Sequence, residues 1–114
     1  MNEAEKLQYL FQTLGDANRL KIIKFIDKNE RSVSEIVDET KLSQPLVSHH
    51  LRTLREKDIL ETKRNGPFIY YKLKDVRLLD ALGLFLEIVS SMNGIKLDKP
   101  MFCFPHRWKD MWKD

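Results

Sequence analysis

Apolar residues recur three and four positions apart over residues 7–14, and this spacing predicts a short amphipathic helix that ends at Gly15. Asp16 stands where a cap would begin a second helix, which we expect to end near Asn29. Three lysines of this second helix fall outside its apolar stripe, so we expect them to face solvent. They are Lys21, Lys24 and Lys28.

Two further helices are predicted, with a brief connection between them. Ser32 and Glu35 have the spacing of a capping box, which predicts a helix over residues 33–40. Ser43 is placed to cap the next helix, which we expect to run to about Lys57. Two helices joined in this way are typical of a helix-turn-helix, whose second helix lies in the major groove of DNA.

The fourth predicted helix has an apolar side and a polar side. The apolar side is expected to pack into the core and contains Val47, His50, Leu51 and Leu54. The other side is offered to a partner and contains Pro45, Leu46, His49, Arg52, Thr53 and Glu56. We therefore expect His49 to read DNA, and His50 to be a packed, hydrogen-bonded core residue.

A β-hairpin follows, because the chain becomes rich in aromatic and β-branched residues on both sides of Asn65-Gly66-Pro67. We expect the turn at the Asn-Gly pair. Lys63 and Arg64 near the tip make a basic finger beside the fourth helix, directed at phosphates or a minor groove. Tyr70 and Tyr71 are expected to pack within this hairpin, which we call the wing.

Residues 76–92, which follow a predicted cap at Asp75, are apolar around most of a helical circumference. A chain of 114 residues has too small a core to bury such a helix alone, so we infer that it is shared with a second copy, with the first helix contributing. The expected dimer contacts are Leu7, Leu10, Phe11, Leu82, Phe85, Leu86 and Val89.

Together these elements predict a mainly α fold with a small β-hairpin wing, an α+β winged helix-turn-helix that dimerises through its first and last helices. We expect residues 1–93 to form the DNA-binding and dimerisation domain. Residues 94–114 form an aromatic C-terminal tail, either packed on the dimer or sensory.

Composition and charge restrict the class of function only broadly. A net charge of +3 and a pI near 9.0 permit a nucleic-acid partner without requiring one. A single cysteine and the lack of a hydrophobic leader or membrane span favour the cytoplasm. We do not expect an enzyme, because no glycine-rich phosphate loop or nucleophile-base-acid set is present.

Three blocks of the sequence resemble the ArsR family of bacterial and archaeal repressors, in the family's order and spacing. They are LGDANRLKII at residues 14–23, LSQPLVSHHLRTLREKDIL at residues 42–60 and GPFIYYKL at residues 66–73. The resemblance covers residues 7–90 and implies a symmetric dimer of winged-helix subunits. Such a dimer would bind an imperfect palindrome in a promoter and be released by an inducer.

Carried over by position, the resemblance implies DNA contacts from Gln44, Ser48 and His49, with Ser43 at the helix start and Arg64 in the wing. Leu46 departs from the family, which usually has a small or hydroxyl residue there, and it could meet a thymine methyl. Basic side chains outside the matched positions are either phosphate contacts or a solvated basic face. They are Arg52, Arg55 and Lys57.

The metal-binding residues of the resembled family are missing. Many members sense thiophilic metals through Cys-Val-Cys at the third helix, but Ser32 and Ser34 stand at the cysteine positions. Protonated hydroxyls bind soft metals poorly, so no metal is expected there. The family's second site uses Asp and His on the last helix, and residues 79–91 contain no histidine.

In the tail, Cys103 and His106 lie three residues apart. Two tails in a dimer could supply two cysteines and two histidines for zinc, and a thiolate among aromatic residues could instead hold heme or be oxidised. Alternatively, the tail only packs against the dimer. We expect no resident cofactor, with zinc or heme at these two residues as open alternatives.

The prediction is a homodimeric repressor that binds a palindromic operator in double-stranded DNA, without the usual third-helix metal box and with an unknown inducer. The alternatives are a repressor that senses thiol oxidation, metal or heme through Cys103 and His106, or a dimeric winged-helix module for protein interaction.

Overall fold

The structure is a computed structural model that describes residues 1–92, where it has five α-helices and one two-stranded antiparallel sheet. The elements are α1 (Glu3–Leu14), α2 (Ala17–Ile26), α3 (Val33–Thr40), α4 (Gln44–Glu56), β1 (Leu60–Asn65), β2 (Phe68–Leu73) and α5 (Arg77–Ser90). The chain divides into two compact units, of which the first ends at Lys74 and the second contains α5. The predicted fold class is confirmed, whereas the tail with Cys103 and His106 lies outside the described residues.

The core of the first unit lies among α2, α3, α4 and the base of the hairpin. Its fully buried side chains are Ile22, Ile23, Ile26, Ile36, Val47, Leu51, Leu54 and Leu60. Burying one such side chain stabilises the fold by on the order of 1.5–3 kcal/mol. By contrast, α1 buries only Thr13 and Leu14 within this unit, and Leu7 and Phe11 keep about half of their surface exposed.

The four helices of the first unit each begin at a side-chain cap, which satisfies a backbone amide that has no intrahelical partner. Asn2 caps α1, and the predicted caps Asp16, Ser32 and Ser43 are confirmed for the next three helices. At α3 the predicted capping box is complete, since the Glu35 carboxylate also accepts the Ser32 backbone N–H at 3.1 Å.

Two expectations about α2 were wrong. The helix ends at Ile26 rather than near Asn29, because Asp27 takes a positive φ of 53° that a right-handed helix cannot continue. Lys21 and Lys24 are only 7% and 5% exposed, since α2 packs against α1, α3, α4 and β2 together. Burial lowers the pKa of Lys24, and the nearby Asp27 carboxylate partly opposes that shift.

The wing has the predicted strands but a different turn. Asn65 pairs with Phe68 in the ladder, so the two loop residues are Gly66 and Pro67 rather than Asn65 and Gly66. Gly66 has a φ of 63°, and proline fixes φ near −65°, which is the combination of a type II′ turn. The base of the wing is held by Arg31, whose backbone N–H donates to the Tyr71 carbonyl at 2.9 Å.

The second unit begins with Asp75, which was predicted to cap the last helix. Val76 takes the position before α5 and has a helical backbone, so α5 starts one residue later and has no side-chain cap. Asp75 instead accepts the Arg77 backbone N–H at 3.0 Å and pairs with its guanidinium at 2.7 Å. These contacts lower the pKa of Asp75 to about 2. None of the helices in residues 1–92 is long and apolar enough to cross a membrane.

The capping box at the start of α3 leads to a stability prediction. Ser32→Ala removes the hydroxyl that accepts the Glu35 N–H at 3.2 Å, and we expect the free energy of unfolding to fall by about 1 kcal/mol. Ser34→Ala is the matched control, because Ser34 is exposed in the same helix, and its effect should stay within about 0.5 kcal/mol. Urea unfolding at one protein concentration measures both. Equal losses would contradict the capping role.

Candidate nucleic-acid interface

The turn between α3 and α4 is set by local hydrogen bonds. Lys41 has a left-handed backbone with a φ of 62°, and its N–H donates to the Val37 carbonyl at 2.9 Å. The Thr40 hydroxyl donates to the Ile36 carbonyl at 2.7 Å and accepts the Leu42 N–H at 3.3 Å. These contacts end α3 abruptly and allow α4 to begin at Gln44, only three residues after Lys41.

The predicted division of α4 into two sides is confirmed. Val47, Leu51 and Leu54 have no exposed surface, and His50 is 4% exposed. Because a helix turns 100° per residue, the other residues of α4 lie on the opposite side. The predicted DNA-contacting residues in and next to α4 are exposed or half-buried, and they are Ser43, Gln44, Leu46, Ser48, His49 and Arg52.

His50 is buried as predicted, but the expected hydrogen bond is not formed. Its Nε2 lies 3.9 Å from Asp16 Oδ1, too far for a hydrogen bond, and its Nδ1 is buried without a partner among residues 1–92. Asp16 is already engaged, because Oδ1 accepts the backbone N–H groups of Asn18 and Arg19. The carboxylate near His50 thus serves as the cap of α2 and makes no hydrogen bond to the imidazole.

The surroundings of His50 favour its neutral form. Burial lowers the pKa of His50 most strongly, the positive charge of Arg19 and the neighbouring His49 lower it further, and the Asp16 carboxylate opposes the shift. The ring centres of His49 and His50 are 5.4 Å apart, with His49 exposed and His50 inside. Sequence reasoning missed the role of Asp16 here, because residues 16 and 50 meet only through the tertiary fold.

The two basic residues predicted for the wing are not equivalent. Neighbouring residues in a strand point to opposite faces, so Lys63, paired with Tyr70, and Arg64, paired with Ile69, are directed apart. Lys63 forms an ion pair with Glu30 at 3.3 Å. Arg64 is exposed and has no ion pair within the described part of the chain, so it is the wing cation available for a phosphate.

At the position of the family's metal box, Ser32 and Ser34 have different roles. The Ser32 hydroxyl belongs to the capping box, and Ser34 faces solvent. Across residues 1–92, no group of three or more His, Cys, Asp or Glu side chains could hold a metal ion.

The residues predicted for the dimer interface differ in how much surface they offer. Leu7, Phe11 and Phe85 are 51%, 46% and 44% exposed. Leu10, Leu86 and Val89 are half-buried, whereas Leu82 is buried and has little surface left for a partner. Sequence reasoning did not single out three other exposed apolar residues of α1 and α5, although they stand in the same apolar runs. They are Tyr9, Leu84 and Ile88.

A helix-turn-helix that exposes the polar side of its second helix, followed by a hairpin, defines a winged helix-turn-helix protein. The family model described as "Bacterial regulatory protein, arsR family" matches residues 16–62. A protein of Methanocaldococcus jannaschii, named an uncharacterized HTH-type transcriptional regulator, is 34% identical over 89 residues. That alignment spans 77% of this chain and all of the relative.

A probable mercury resistance operon repressor of Streptomyces lividans is 34% identical over 88 residues, which span 77% of this chain and 70% of that protein. The solved structure of the transcriptional repressor BigR from Xylella fastidiosa has a TM-score of 0.65 and 33% identity. It covers 72% of this chain and 87% of the solved chain. The chain belongs to the arsR family of bacterial regulatory proteins, and it is a DNA-binding transcriptional regulator, not an enzyme.

The buried state of His50 predicts a pH dependence of stability. With its pKa lowered from 6.5, the folded chain binds fewer protons than the unfolded chain once the pH falls near that value. We therefore expect the free energy of unfolding to decrease as the pH is lowered from about 7.5 to about 5.5. His50→Gln should remove this contribution, whereas His49→Gln at the exposed neighbour should retain it. Urea unfolding across this range measures the slope, and a slope unchanged in His50→Gln would refute the assignment.

Proposed function

We propose that this chain is a homodimeric repressor that binds a palindromic operator in double-stranded DNA through α4 and the wing. The observation that carries the proposal is the polar side of α4, which stays exposed while Val47, Leu51 and Leu54 are fully buried. A helix fixed along one side presents the other as a rigid surface of the width that a major groove accepts. The proposal places the protein in the cytoplasm, where the DNA of bacteria and archaea lies.

Each exposed position of α4 has a chemistry that suits DNA. Gln44 can bond an adenine edge through both amide atoms, and His49 can donate to or accept from a base edge. Arg52 is suited to a phosphate, and half-buried Leu46 to a thymine methyl. The Ser43 hydroxyl accepts the Leu46 N–H at 3.4 Å and still has its own proton for a phosphate oxygen.

The homodimer is supported by apolar surface on two helices. Leu7 and Phe11 on α1 and Phe85 on α5 each keep more than two fifths of their surface exposed. Leu7 and Phe11 are four residues apart and so lie side by side on α1, and exposed apolar surface of this kind on a small protein marks an interaction site. A twofold dimer presents two copies of α4, which is why the proposed operator is a palindrome.

The inducer is a separate matter from DNA binding. Ser32 and Ser34 offer no thiolate, so the proposed repressor does not use the family's third-helix metal box. Zinc, heme or thiol oxidation at Cys103 and His106 remains a proposal for the tail. A promoter-shift titration of Cys103→Ser under reducing, oxidising and zinc-supplemented conditions addresses it.

The role of His49 is tested by DNA binding to the promoter of the chain's own gene. If the dimer makes 6–10 phosphate contacts, the wild-type affinity should fall about 10³- to 10⁵-fold between 50 and 200 mM salt. His49→Ala should weaken binding by about 1–3 kcal/mol at fixed salt. Lys28→Ala is the control, because Lys28 is an exposed cation beyond the end of α2. Equal affinity of His49→Ala and wild type would remove His49 from the interface.

The dimer surface is tested by placing a charge on it. Phe11→Glu on α1 and Phe85→Glu on α5 would put a carboxylate into an apolar contact, so we expect the dimer dissociation constant to rise by at least about tenfold. Phe68→Glu is the matched control, because Phe68 is 59% exposed at the wing. Sedimentation velocity measures all three. Unchanged dimers in both helix variants would refute the proposed interface.

A further inference from the structure

A small open cavity lies within the first unit, between α1, the beginning of α2 and the C-terminal half of α4. Its volume is about 130 Å³, which is the volume that roughly four water molecules occupy in liquid water. This volume is large enough for a tetrahedral oxyanion. Its lining is Tyr9, Gln12, Thr13, Arg19, Thr53 and Lys57.

The charge of this cavity is positive and uncompensated. Arg19 and Lys57 line it, no carboxylate does, and neither cation forms an ion pair within residues 1–92. A concave surface with two cations concentrates positive potential and attracts anions. The ion pairs that lysines and arginines of the first unit form lie elsewhere, at the wing and at the start of α3.

Both cations are held in place by contacts that leave donors available. Arg19 Nε donates to the Thr13 carbonyl at 2.7 Å, which orients the guanidinium, while its two terminal nitrogens have no described hydrogen-bond partner. Lys57 Nζ lies 4.8 Å from the centre of the Tyr9 ring, a cation–π contact that uses none of its three protons as hydrogen bonds.

The remaining polar groups of the lining add one further donor. The Thr13 and Thr53 hydroxyls each donate to a backbone carbonyl four residues earlier, at 2.9 and 3.2 Å. Gln12 is exposed and adds an amide donor at the rim. The donors that converge on the cavity are therefore a guanidinium, an ammonium and an amide, the set that binds phosphate and carboxylate groups.

We propose that this cavity is a binding site for a small phosphate-type oxyanion. A bound anion would accept hydrogen bonds from Arg19 on α2 and Lys57 at the end of α4, beside Tyr9 of α1. It would thereby link the proposed DNA-reading helix to a proposed dimerisation helix, which suits an effector site. That regulatory consequence rests on the proposed function, whereas the binding itself does not.

The test is a titration of the isotope-labelled full chain with inorganic phosphate, without DNA, followed by NMR and matched in ionic strength with chloride. We expect saturable shifts centred on the residues that line the cavity. Arg19→Gln and Lys57→Gln should each weaken phosphate binding by at least about tenfold. Arg55→Gln, an exposed cation of the same helix outside the cavity, should bind like wild type. Shifts that do not saturate, or that are equal in all variants, would overturn the proposal.

A phosphate group of the DNA backbone has the same chemistry as the free ion. A second titration therefore distinguishes binding of free phosphate from contact with DNA. The same variants are titrated with promoter DNA at fixed salt. Loss of DNA affinity in Lys57→Gln, together with no saturable binding of free phosphate by wild type, would overturn the proposal and assign these cations to the operator. If instead wild type binds phosphate but shifts no promoter fragment, the anion site stands and the proposed function fails.

Discussion

Val47, Leu51 and Leu54 lie along one side of α4 without any exposed surface, packed into the core that α2 and α3 also line. Truncating one such side chain to alanine typically lowers the free energy of unfolding by about 2–5 kcal/mol. The packing of these three side chains, which we call the seam of α4, therefore fixes the rotation of the helix about its own axis. The capped turn at Lys41 fixes where the helix begins. Once rotation and start are set, helical geometry places Gln44 and His49 on the side away from this core, where both are exposed.

The buried side of α4 also contains one polar side chain, and its burial lowers the stability of the fold. His50 is buried beside the cap of α2, and Asp16 gives its carboxylate oxygen to two backbone amides rather than to the imidazole. A buried polar atom without a partner destabilises the fold, and protonation would add a charge to the same place. In α4, His50 therefore lies next to the start of α2, the segment that also supplies Arg19 to the proposed anion cavity.

Local sequence rules predicted the elements because their causes are local. Ser32 with Glu35, Ser43 and Asp16 act through amides no more than three residues away, and the two sides of α4 follow from a 3.6-residue period. Where tertiary contacts decide, the predictions were wrong. Lys21 and Lys24 are buried on a helix that packs against four other elements, and His50 makes no hydrogen bond to the carboxylate near it, that of Asp16, 34 positions earlier. Glu30, which engages Lys63, is likewise remote in sequence.

The candidate interface was predictable to a similar extent. The period of α4 assigned His49 outward and His50 inward, but it could not distinguish Lys63 from Arg64, whose difference depends on strand register and on Glu30. The anion cavity could not be predicted at all, because Tyr9, Arg19 and Lys57 come together only when three helices pack. Sequence patterns thus predict which side chains a single helix exposes, whereas a site lined by several helices becomes visible only in the folded structure.

Methylation interference on the operator tests most directly that the exposed side of α4 enters the major groove of two half-sites. Dimethyl sulfate modifies guanine N7 in the major groove and adenine N3 in the minor groove. We predict that guanine N7 methylation blocks binding at two symmetric positions about 34–36 Å apart along the helix axis, one turn of DNA. Interference confined to adenine N3, or to a single half-site, would contradict the account.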